Sequence, residues 1–93
     1  MTILGTYEKQ PGEIETYSIN YADDLTSGDG IKDHTVVIAP AGLALDFASV
    51  DSPRVKLTLS GGVDRAKYKV TVTANTDDGR RLQDEFFIKI KEH

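Results

Sequence analysis

The chain has 93 residues, 39% of them hydrophobic, with a net charge of −4 and neither cysteine nor tryptophan. That length fits one domain with a thin stability margin, since a chain of this size buries only about 60–65% of its unfolded surface. A core so small is poorly suited to walling off a deep active site. The missing cysteines exclude disulfides and thiolate metal sites, and the acidic balance disfavours nucleic acid as a partner.

Residues 1–93 read as a single domain, in which 1–13 is an N-terminal arm or an extra edge strand, because Tyr7 and Pro11 sit there without clear alternation. Met1 to Gly12 lacks the basic region and apolar run of a secretory signal, and no apolar stretch approaches the ~20 residues that span a bilayer. Synthesis and folding in a reducing cytoplasm, with no membrane partner, are therefore expected.

Along the chain, Tyr17, Ile19 and Tyr21 alternate with Ser18 and Asn20, the period of a half-buried strand. Gly28–Asp29–Gly30 predicts a flexible loop. Thr35 to Ala39 is a β-branched, largely apolar run, which predicts a strand covered on both faces. After a tight Pro40–Gly42 turn, Leu43, Leu45 and Phe47 alternate; Phe47 to Ser52 has some helical character but is too short to nucleate. Val55, Leu57 and Leu59 form the next strand, closed by Ser60–Gly61–Gly62. Tyr68, Val70, Val72 and Ala74 mark the longest alternation. Asp78–Gly79 predicts a type I′ hairpin into the last strand, where Phe86, Ile88 and Ile90 point inward and Phe87 has the opposite parity. That strand is expected at or near a sheet edge, with Phe87 marking a bulge or a side chain offered to a partner, and Lys89 and Lys91 able to block strand addition.

Short strands punctuated by polar turns predict an all-β fold, an immunoglobulin-like β-sandwich of about seven antiparallel strands. A Gly-Gly turn, a polar loop and then Tyr68 is the order found at the tyrosine corner of such sandwiches, which predicts a hydrogen bond from the Tyr68 hydroxyl back to the preceding loop.

Chemistry is sparse. His34 and His93 stand apart from any nucleophile motif or metal-ligand spacing, so neither catalytic residues nor a cofactor is expected. Asp23, Asp24, Asp29 and Asp33, or Asp77 and Asp78, could offer oxygen ligands to calcium, but Asx-turn chemistry explains the same residues and no EF-hand spacing is present. Charge is unevenly spread: these aspartates gather in the first half, and Lys67, Lys69, Arg80, Arg81, Lys89 and Lys91 in the last third. Solvated faces account for that as well as contacts between unlike subunit surfaces do. The candidate interface residues are Asp23, Asp24, Asp29, Arg80, Arg81 and Phe87.

The order of Pro11, Tyr17–Ile19–Tyr21, Asp24–Leu25, Gly28–Asp29–Ile31, Ser60–Gly62, Tyr68 and Thr76–Arg80 resembles a family of small phage and prophage proteins, structural virion proteins or fiber-tail adaptors. The resemblance covers nearly the whole chain. It departs at Asn20–Tyr21, where relatives carry Asp-Trp, and at Val37, where they carry Trp. It implies a non-enzymatic virion component that joins tail or neck to fiber, binds other phage structural proteins and is repeated as a homo-oligomer in the particle. The alternative is a carbohydrate- or cell-surface-binding module, for which Tyr7, Tyr21 and Phe87 are the candidate exposed aromatics.

Overall fold

The computed structural model describes residues 2–22, 25, 28–51 and 53–92. The strands are β1 (Thr2–Lys9), β2 (Glu15–Asn20), β3 (Ile31–Ala39), β4 (Leu43–Asp51), β5 (Arg54–Gly61), β6 (Lys67–Thr76) and β7 (Arg81–Ile90), with no helix among the described residues. Each alternating strand has one apolar face, and two stacked sheets are the simplest way to bury those faces together. One sheet has the order β1-β7-β6-β3 and the other β2-β5-β4. Only the β4–β5 and β6–β7 connections stay within a sheet, so the chain repeatedly crosses between layers. The fold is a seven-stranded β-sandwich.

The core follows the predicted alternation closely. Val55, Leu57 and Leu59 of β5 face Tyr68, Val70, Val72 and Ala74 of β6 and Phe86, Ile88 and Ile90 of β7, all buried. Each of the Val, Leu, Ile and Phe side chains contributes roughly 1.5–3 kcal/mol of burial. At the side where β1 meets β2, Tyr7, Tyr17 and Phe86 close the sandwich, each ring within 5.9 Å of the other two.

Four expectations require correction. β1 runs parallel to β7, whereas the remaining ladders are antiparallel. A period of two is common to both arrangements, so alternation does not encode direction. Second, β7 lies near the edge as expected, one strand in, but its outer side is occupied by β1, so it has no free edge for strand addition. Third, β3 is an edge strand covered on one face only: Val36 and Ile38 are half buried, and Val37 is 57% exposed. Finally, β4 carries a register shift between Leu45 and Phe47 that moves Phe47 opposite Thr58 on the outer face, 63% exposed, and the strand continues through Asp51 where slight helical character was expected.

The β6–β7 hairpin forms at the predicted place with different geometry. Gly79 has φ +85°, while Asp78 is not in the left-handed region. The Gly79 N–H donates to Thr76 O at 3.0 Å and Thr76 N–H to Arg80 O at 2.8 Å. This is a three-residue turn with glycine alone in the left-handed region, which spares Asp78 the strain that a type I′ turn would impose.

The corner ahead of β6 matches expectation: Tyr68 Oη accepts a hydrogen bond from Val63 N–H at 3.0 Å, five residues upstream. Tyr68→Phe keeps the buried ring and removes that acceptor. A loss of about 1 kcal/mol is expected in chemical denaturation, with an unchanged m-value.

Candidate interaction surface

The loop before β3 and the β6–β7 turn meet at one end of the sandwich. Asp29 Oδ1 accepts hydrogen bonds from Gly30 N–H at 2.9 Å and from Asp78 N–H at 3.1 Å. Asp77 N–H donates to Gly30 O at 2.9 Å, which laces the two loops together. Burial acts to raise the Asp29 carboxyl, but the bonds from Asp78, Thr76 and Gly30, with Arg80 nearby, outweigh it and hold the group below its ordinary 3.8. One residue row further in, Asp33, Asn75 and Arg81 stand side by side across β3, β6 and β7. Asn75 Nδ2 donates to Asp33 Oδ1, and Arg81 Nε donates to Asn75 Oδ1 at 3.1 Å.

The acidic loop and the basic turn are thus brought together within one chain. Of the sequence-predicted interface residues, Asp29, Arg80 and Arg81 share this end, and Asp23 and Asp24 lie outside the described residues. An acid titration checks the Asp29 arrangement. Its lowered folded pKa means stability that is present above 3.8 and lost as pH falls below it. Asp29→Asn is expected to be less stable at neutral pH and to lose less stability on acidification, read as a shallower fall of Tm between about pH 5 and 2.5.

Phe87 belongs elsewhere. It stands on the outer face of the four-stranded sheet, paired in regular β6–β7 register with Lys69, half buried, with Lys67 Nζ 4.6 Å from its ring centroid. Its strand position is about 20 Å from Arg81 at the usual rise per residue. With no break in the β6–β7 ladder at this point, its opposite parity simply places the ring outward. The same outer face carries Val37, Thr71 and Thr73.

Sequence reasoning missed Phe47, because 43, 45 and 47 alternate perfectly and nothing local announces the bulge between them. Val37 was legible in principle: alternation from Val36 and Ile38 puts it outward once one face of β3 is known to be open. Tyr21, proposed as an exposed aromatic, is fully buried, and its N–H donates to Pro53 O at 2.9 Å. Tyr7 packs on Tyr17 and Phe86, so Tyr7, Tyr21 and Phe87 form no common platform. His34 lies half buried opposite Ala74, and among the described residues no three His, Asp or Glu side chains are grouped to hold a metal ion.

A small seven-stranded sandwich with charged loop ends and threonines on its outer faces defines a class of β-sandwich domain. Within that class the chain belongs to the family described as podophage GP4 fiber-tail adaptor protein gp77, whose model matches residues 9–89. No curated protein matches significantly. A solved structure of similar fold is the 2,6-sialyltransferase of the Vibrionaceae bacterium Photobacterium sp. JT-ISH-224, in ternary complex with CMP and lactose: TM-score 0.56 and 10% identity, over 97% of this chain and 17% of that one. At that identity the likeness is one of fold alone.

Proposed function

We propose that this domain is a non-enzymatic structural component of a tailed-phage virion that joins tail or neck to fiber or neighbouring components. The observation that carries the reading is the family match over residues 9–89. The surface supports it: the ordered chemistry lies in hydrogen-bonded loop ends and in an open sheet face, both suited to protein contact by burial and charge complementarity. Asp29, Arg80 and Arg81 form one candidate contact end, and Phe87 marks a second. The partners are other phage structural proteins, with several copies of this chain in the particle, and neither nucleic acid nor membrane is required.

The test is affinity capture with the tagged domain from lysate of the host producing the intact phage, read by mass spectrometry. Tail, neck or fiber proteins are expected to co-purify. Enrichment of host glycans or host surface proteins alone would replace the adaptor reading with the cell-surface-binding one.

A further inference from the structure

The β5–β6 loop runs against the end of β7. Arg65 N–H donates to Ile90 O at 2.8 Å, and Ile90 N–H to Ala66 O at 2.9 Å. Arg65 is held at φ +71°, the only non-glycine residue in the left-handed region among those described. Beside it opens a groove of about 300 Å³ lined by Asp64, Arg65, Lys89, Ile90, Lys91 and Glu92. Lys67 and Lys89 are direct cross-strand partners, a like-charge pairing that weakens a sheet when nothing offsets it.

The acidic groups nearby offset this end only in part, although Asp64 and Glu92 line the groove themselves. Lys69 pairs with Glu85 at 3.7 Å, and Asp64 Oδ1 accepts from Glu92 N–H at 3.0 Å. Glu8 is the cross-strand neighbour of Lys89. No ion pair within 4.0 Å joins Arg65, Lys67, Lys89 or Lys91 to a described carboxylate. Arg65, Lys89 and Lys91 thus line the groove together with Asp64 and Glu92, and Lys67, cross-strand from Lys89, lies over the Phe87 ring beside it. Four cations stand here against the carboxylates of Asp64, Glu92 and Glu8, a local positive excess on a chain whose net charge is −4. Backbone strain and crowded like charges beside a groove are features that proteins keep at binding sites.

We infer that this end of the four-stranded sheet, Arg65, Lys67, Lys89 and Lys91 with Phe87 alongside, docks an acidic peptide segment of a neighbouring virion protein. The inference rests on the adaptor reading. A peptide supplies both carboxylates for the cations and an apolar side chain for Phe87. A second copy of this chain is the poorer fit, because its Asp29 and Asp33 are already engaged with its own β6–β7 turn and Asn75.

The test is an NMR titration of the 15N-labelled full chain with a glutamate-rich peptide carrying one phenylalanine. The control peptide has glutamine for each glutamate. Shifts confined to residues 65–67 and 87–92 are expected, with affinity falling about tenfold or more in the Lys67→Gln/Lys89→Gln/Lys91→Gln variant. Arg65→Gly, which relieves the left-handed strain while removing a charge, serves as a second variant with a secure fold and is also expected to bind more weakly. Equal binding by the variants, or shifts spread over the whole surface, overturns the inference. So does tighter binding of an oligothymidylate, or a self-association that the triple variant abolishes. Affinity capture from phage lysate with both proteins separates the two levels. Equal capture of tail or fiber proteins leaves the adaptor reading standing and overturns this surface. Capture by neither overturns the adaptor reading, and the peptide titration then decides the surface by itself.

Discussion

Gly62→Ala is expected to lower stability by about 3 kcal/mol or more, combining left-handed backbone strain with overpacking of the core. Gly62 has φ +101°, and a Cβ placed there would lie 2.6 Å from Ile90 Cδ1 and 2.7 Å from Ile90 Cγ1. Ile90 is fully buried at the end of β7, so its side chain has little room to withdraw. For a domain of this size the loss corresponds to a fall in Tm of more than about 10 °C. Two controls divide the effect. Gly79→Ala also places a side chain at positive φ, +85°, but with no atom within 4 Å, and is expected to cost only about 1 kcal/mol. Ile90→Ala removes both the Cγ1 and Cδ1 atoms, so the Gly62→Ala/Ile90→Ala double variant should be less destabilised than the sum of its parts. Additive losses in that cycle would show that the clash does not operate and that backbone strain alone is at work.

Lys9→Met is the second large expected effect, a loss of about 2 kcal/mol at neutral pH. Lys9 ends β1 and is 1% exposed. Its ammonium donates to Gln10 O at 2.8 Å and to Gly61 O at 2.7 Å, so one side chain ties the first strand of one sheet to the last residue of β5 in the other. Methionine fills the volume of the stem and gives those carbonyls no donor, and hydrogen bonds to a charged group are worth roughly 1.5–3 kcal/mol. Against this, removing a buried charge relieves desolvation, which keeps the net effect near 2 kcal/mol rather than the full sum.

The pH dependence of that difference carries its own signature. Burial lowers the Lys9 pKa from 10.5, with Glu13, Glu15 and Asp46 pulling it partly back. The unfolded chain then binds the proton more tightly than the folded one, so the stability contributed at Lys9 rises as pH climbs through the lowered folded value toward 10.5. Tyr17 acts oppositely: burial, Glu15, Glu13 and Tyr7 raise its pKa above 10.0, so its contribution is lost at higher pH, but that change is common to wild type and variant. Denaturant melts of the two proteins from about pH 7 to 10.5 are therefore expected to diverge, the wild type gaining on Lys9→Met. Parallel curves would show that the ammonium is not buried in solution.

The sandwich was readable because its evidence is local. Val55, Leu57 and Leu59, and the run from Tyr68 to Ala74, have a period of two that only a one-faced strand satisfies, and each run is closed by residues suited to a turn. The Tyr68 corner was legible for the same reason: loop and strand are adjacent in sequence, and the hydrogen bond spans only five residues. The Asp78–Gly79 turn was located but mistyped, because the sequence permits two geometries and the choice is fixed by long-range partners of the turn, notably Asp29.

The candidate surface divides in the same way. Composition placed acidic residues in the first half and basic ones in the last third, but neighbourhood in space is set by sheet order. Strand pairing put Asp33 beside Asn75 and Arg81, and Lys67 beside Lys89. Phe87 could be assigned outward from parity alone, and the parity Tyr21 shares with Ile19 likewise points it inward, where it is fully buried just past the end of β2.

By itself, the sequence determined that this protein is an all-β sandwich, which residues of its central strands turn inward, and, through the order of its motifs, the phage family to which it belongs. The first two depend on side-chain period and turn chemistry within about ten residues, and the third on the order of motifs along nearly the whole chain, so all survive without knowledge of the fold. Only the tertiary structure decided that β1 lies parallel to β7, that β3 is an open edge, that Phe47 is turned out by a bulge, and that Arg65, Lys89 and Lys91 line a groove near Lys67 and Phe87. Each of these is a relation between segments far apart in the chain, fixed by which strands become neighbours, and a period of two is the same whichever neighbour a strand has.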